Sequence, residues 1–122
     1  MTTNATVLEA ARTLFNEGRF LAAHELFEEL WESTSGPDAD CYKGLLQAAV
    51  ALHHLSEDNA EGALRLYRGH RRYLAPYAPT HLGLDLGGLM REMQRVFAPV
   101  LEGEPPAQPL PHLTHAESEG QA

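Results

Sequence analysis

The chain has 122 residues, among them 19 Leu and 17 Ala but only four Val and no Ile. Sheets favour β-branched side chains, whereas Ala and Leu enter helices at little cost, so a strand-rich fold is excluded. Nine basic against 17 acidic residues give a net charge of -8, which speaks against a nucleic-acid partner because phosphate neutralisation needs clustered positive charge. No apolar run approaches the roughly 20 residues of a membrane helix, and the opening Met-Thr-Thr-Asn-Ala-Thr lacks the charged start and apolar core of a secretory signal. A cytoplasmic domain without membrane contact is expected. The single cysteine, Cys41, can form neither an internal disulfide nor a Cys-x-x-Cys motif.

Five segments carry helical periodicity. The first covers about residues 5–16, with Val7, Leu8, Ala11, Leu14 and Phe15 on one stripe, and stops before Gly18. The second covers about 19–33, and the Ser-Thr-Ser-Gly-Pro-Asp break at 33–38 ends it and can cap the next helix. The third, about 40–55, has no charged residue from Gly44 to Leu55 and is apolar around most of its circumference, as expected of a central helix buried by neighbours on several sides. The fourth covers about 60–75 and ends at Pro76 and Pro79. The fifth begins near Leu82 and carries Leu86, Leu89, Met90, Met93, Val96, Phe97 and Val100 at spacings of three and four. The expected fold is all-α, a single compact bundle of about five helices over residues 1–102. Residues 103–122 hold four of the eight prolines and a polar end, which predicts an extended or disordered tail.

The second helix breaks its own pattern. At about 100° per residue, His24 and Glu28 point where Phe20, Phe27 and Trp31 point, while Glu25, Glu29 and Glu32 form the polar face. An imidazole and a carboxylate four residues apart are neighbours that share a hydrogen bond or grip one ion. On the third helix Gln47 and His54 project together with Lys43, Val50 and Ala51. If that face meets the second helix, His24, Glu28, Gln47 and His54 line one polar pocket in an apolar interior, with Phe20, Phe27 and Trp31 as its wall. His53 lies about 100° away and points elsewhere.

Two readings follow from this. The group is either a satisfied network that fixes helix packing, or a site in which Glu28 orients His24 and His24 moves a proton near neutral pH. His24, Glu28 and His54 are also weak candidates for a metal, but the spacing matches neither His-Glu-x-x-His nor Glu-x-x-His, so a metal is not the favoured reading and the cofactor is unknown. Arg65, Arg68, Arg71 and Arg72 cluster on the fourth helix and read as a solvated face or, less simply, as a patch for an anion or acidic partner. Cys41, at the start of the third helix, has no base beside it in sequence, although a helix start can lower a thiol pKa. His112 and His115 read as surface residues of the tail.

The run Phe15-Asn16-Glu17-Gly18-Arg19-Phe20, then Ala23-His24-Glu25 leading to Glu28 and Trp31, resembles the His-x-x-x-Glu-x-x-Trp signature of a small prokaryotic helical family, domain of unknown function 309. Gly44-Leu45-Leu46-Gln47-Ala48-Ala49 followed by His54, and Asn59 with Gly62-Ala63, extend the resemblance, which covers about residues 5–100. It implies an all-helical fold and signature positions at His24, Glu28 and Trp31, and it implies no reaction. Asp58-Asn59 stands where relatives commonly have Gly-Asn. A looser near-repeat, Phe20-x-x-Ala23-x-x-x-Phe27 and Ala60-x-x-Ala63-x-x-x-Tyr67, recurs 40 residues apart and resembles scaffold-forming helical hairpins, but two copies are fewer than such arrays use. The function expected is a small-ligand or catalytic site around His24, Glu28 and Trp31. The alternative is an interaction module in which that group is structural and the arginine face or the Glu25-Glu29-Glu32 face does the work, with a protein partner or a second copy of the chain.

Overall fold

The computed structural model describes residues 3–117. Five α-helices follow one another: α1 (Asn4–Asn16), α2 (Phe20–Glu32), α3 (Pro37–Ser56), α4 (Ala60–Leu74) and α5 (Leu86–Leu101). A single 3-10 turn (Ala75–Tyr77) and a two-stranded antiparallel hairpin, β1 (Thr80–His81) with β2 (Leu84–Asp85), link α4 to α5. The fold is all-α apart from this small sheet.

α3 is the centre. Cys41, Tyr42, Gly44, Leu45, Leu46, Ala48, Ala49, Ala51 and Leu52 are buried along it, because α2 packs on one side and α4 on the other. Both neighbours run antiparallel to α3. Trp31 meets Lys43 while Phe20 and Glu25 lie near His53, and Gly44 meets Leu74 while Gln47 meets Gly69. α1 packs on α2 and α5 on α4. Phe15 and Phe20 join edge to face at 5.4 Å, and Tyr67 stacks on Phe97 at 4.6 Å.

Three helices end by one device, a backbone closure from two residues past the cap. Arg19 N–H donates to the Leu14 carbonyl, Asn59 N–H to His54 and Glu104 N–H to Pro99, each at 2.9 Å. The residue before each donor must take a left-handed conformation. Gly18 and Gly103 do so at φ of 80° and 79°, but at the end of α3 the position is Asp58, at φ 57°. Asn59 then caps α4, its Oδ1 accepting from Gly62 N–H at 3.0 Å.

The sequence places the start of the fifth helix near Leu82, whereas α5 begins at Leu86. Leu82 and Gly83 both have positive φ, 55° and 72°, the signature of a two-residue hairpin turn. The hairpin is tied to the start of α3, with His81 Nε2 at 2.8 Å from Asp38 and Tyr77 Oη donating to Asp40 at 3.0 Å. Residues 103–117 run back over the body. The Leu113 side chain is fully buried, its N–H donates to Asn16 Oδ1 at 2.7 Å, and its carbonyl accepts from Asn16 Nδ2 and Arg12. Ala116 N–H and Asp85 N–H complete bonds that place the segment beside β2. The Arg12 guanidinium and the His115 imidazole hold the Glu9 carboxyl down at about 2. The remainder of the proline-rich tail, residues 118–122, lies outside the described residues.

Two buried groups depart from what local sequence suggests. Cys41 is fully buried, and burial, with Asp38 adding to it, pushes its thiol up to about 12, the reverse of activation by a helix start. His70 is the one polar side chain in the core among the described residues. Its Nδ1–H donates to the Tyr67 carbonyl while Nε2 has no partner, the pattern of a neutral imidazole. Burial lowers its pKa from 6.5 to about 4, with Arg71 acting in the same direction and the Tyr67 bond opposing.

Three expectations follow. Because the folded pKa of His70 lies below the unfolded value, its contribution to stability is present above about pH 6.5 and is lost as pH falls toward 4, a change of about 3 kcal/mol. Denaturant titrations across that range show it as the difference between wild type and His70→Leu, whose profile is flatter. Asp58→Gly raises the urea midpoint, by roughly 1 kcal/mol or less in stability, since glycine removes the left-handed strain. Cys41 reacts with an aromatic disulfide reagent only at the rate of unfolding, and fast native-state labelling would contradict its burial.

Candidate functional site

One stripe of α3, Lys43, Gln47, Val50 and His54 at spacings of four, three and four, is half-buried, as are His53 and Leu55 near the end of the helix. Along this stripe Lys43 meets Trp31 of α2 and Gln47 meets Gly69 of α4. On α2 the core stripe is Phe20, Ala23, Phe27 and Leu30. His24, Glu28 and Trp31 each follow a core residue by one position, about 100° round the helix, and are themselves half-buried. Lys43 joins this edge of α2 to α3, its Nζ lying 4.2 Å from the centre of the Trp31 ring, a cation–π contact that holds the indole.

His24 Nε2 and Glu28 Oε2 are 3.5 Å apart, with side chains 23% and 43% exposed. His24 Nδ1 is buried and without a partner. The pair therefore stands half-exposed at the edge of α2 rather than inside the apolar interior that the helical wheel predicts. The reason is geometric. Phe20 and Phe27, which drew His24 toward the aromatic side in that wheel, are themselves core residues, and the imidazole sits on their flank.

The remaining sequence candidates take separate places. Phe27 is fully buried, and Phe20 is buried against Phe15. Gln47 turns to α4, where its Oε1 lies so close to Gly69 that a Cβ there would come within 2.0 Å. His54 belongs to the α3–α4 turn, with Nδ1 at 3.2 Å from Asn59 Nδ2. Since Asn59 Oδ1 is taken by Gly62 N–H, the Asn59 amide donates and His54 Nδ1 accepts. His53 points away from His54, toward a cavity shared with Gly18, Arg19 and Glu25. Among the described residues no three His, Cys, Asp or Glu side chains converge as metal ligands, so His24, Glu28 and His54 do not come together as a set.

Sequence reading misses the His81–Asp38 and Tyr77–Asp40 contacts and the burial of His70. The first two join residues 43 and 37 positions apart, and no local pattern carries them. A signal for His70 does exist. It lies three residues after Tyr67 and four before Leu74, on the buried face of α4, masked by four surrounding arginines.

His24, Glu28 and Trp31 fall within a stretch that matches a family model. A protein described as "Uncharacterized protein" from Aquifex aeolicus (strain VF5) is 30% identical over 103 residues, 84% of this chain and 31% of that protein. The "Uncharacterized protein YpuF" of Bacillus subtilis (strain 168) is 37% identical over 81 residues, 64% of this chain and 47% of that protein. The chain thus spans less than half the length of either relative. The matching family model begins in α1 and ends in α4, taking in His24, Glu28, Trp31, Gln47 and His54. Residues 8–66 match the model of the family described as Domain of unknown function (DUF309), the family that the chain's His-x-x-x-Glu-x-x-Trp block resembles.

Proposed function

We propose that this domain is a cytoplasmic small-molecule-binding module whose site lies at the half-exposed edge of α2 beside α3, with His24, Glu28 and Trp31 as its recognition residues. The observation that supports this reading is the placement of the His24–Glu28 pair. Both side chains reach solvent, beside an indole held in one orientation by Lys43. A network that served packing alone gains by being sealed, whereas a pair open to solvent on one side can exchange water for ligand hydrogen bonds. His24 Nε2 and the Glu28 carboxylate supply a donor or acceptor and a charge, and Trp31 supplies a flat apolar surface. In a catalytic version Glu28 orients His24 and the imidazole transfers a proton. The longer relatives favour a second reading, an interaction module that presents the same residues to another protein or domain.

Trp31 is the sole tryptophan, so its fluorescence reports on the site directly. In a titration against a panel of small polar metabolites, a ligand shifts Trp31 emission saturably. His24→Ala and Glu28→Gln weaken that ligand about tenfold or more, the loss of one or two hydrogen bonds to a charged or polar group, while circular dichroism stays unchanged. If no compound moves the emission, or the two variants lower only the melting temperature, the pair is structural and the binding reading fails.

A further inference from the structure

We propose that the cavity between α3 and α4 binds the phosphoryl group of a small phosphorylated ligand. The cavity, about 380 Å³, is lined by Gln47, Arg65, Leu66, Arg68, Gly69 and Arg72. It does not depend on His24, Glu28 or Trp31, and so stands apart from the reading above.

Its polar lining is made of donors. Three guanidinium groups offer forks of N–H bonds that match phosphoryl oxygens. Gln47 also lines the cavity; its Oε1 is buried against Gly69 without a partner, and its amide NH2 carries two further N–H donors. No carboxylate lines it, in a chain with 17 acidic residues. Arg12 pairs with Glu9 and Arg95 with Glu92; Arg65, Arg68 and Arg72, like Arg19, Arg71 and Arg91, have neither an ion pair nor a side-chain hydrogen bond among the described residues, and the first three gather on one cavity. Spaced at three, four and seven positions on one helix, they repel one another, and a bound dianion removes that repulsion.

Gly69 adds a steric argument. Glycine is unfavourable in a helix interior, yet here any side chain would displace the Gln47 amide. The net charge of -8 decides between small and polymeric anions. A compact phosphoryl group meets only the local cluster, whereas a nucleic-acid backbone extends over the acidic surface around it.

The test is a titration of the full 15N-labelled chain with inorganic phosphate and with glucose 6-phosphate, using glucose and sodium chloride at matched ionic strength as references. The proposal expects saturable shifts at the Gly69 amide and the Gln47 side-chain amide with both phosphates and with neither reference. Arg68→Gln and Arg72→Gln each weaken binding about tenfold or more, while Arg91→Gln, on the exposed side of α5, leaves it unchanged. The proposal is overturned if the shifts follow ionic strength alike in phosphate and chloride, or if the Arg68 and Arg72 variants bind as wild type does. It is equally overturned if a duplex oligonucleotide binds more tightly than either phosphate and the same variants abolish that binding, which would assign the cluster to nucleic acid.

Discussion

Everything in this structure depends on the apolar circumference of α3. A helix buried around most of its surface needs cover on at least two sides, and each cover must itself be covered. α2 and α4 supply the first layer, and α1 and α5 lie against them. What remains half-buried is mainly the stripe from Lys43 to His54, with His53 and Leu55 beside its end. The two neighbours of this stripe differ in chemistry, because α2 brings carboxylates and an imidazole while α4 brings guanidinium groups.

Buried polar atoms mark where that enclosure carries a cost. An unpaired buried donor or acceptor is unfavourable by about 1–3 kcal/mol, and His24 Nδ1, Gln47 Oε1 and His70 Nε2 are all of this kind. They are not equivalent. His70 lies in the core and its second nitrogen already bonds the Tyr67 carbonyl, so the neutral ring behaves as a packing group with a pH limit. His24 and Gln47 are only half-buried as residues, and their sequestered atoms are of the kind that ordered water satisfies.

The segment after α5 is integrated with the rest. Asn16 pairs with both backbone groups of Leu113 in the manner of a strand neighbour, and Glu9 and Arg12 reach His115 and the Leu113 carbonyl. The beginning of the chain, the hairpin before α5 and the stretch after it thereby close on one another.

The sequence by itself determined the helices and the polar residues that matter. Ala and Leu at spacings of three and four, interrupted at Gly18, at Gly36-Pro37 and at Pro76, are local signals that need no partner, and His24 with Glu28 stands out because their helix is otherwise sorted into apolar and acidic faces. The tertiary structure decided how deeply each residue lies. A shift of about 100° separates the core residue Phe27 from the half-exposed Glu28, and only the placement of α3 settles on which side of that boundary such a residue falls. It also decided which groups meet across the fold: Lys43 with Trp31, Gln47 with Gly69, and Leu113 with Asn16. Such contacts depend on how helices are stacked and chain segments returned, quantities that a one-dimensional period does not contain.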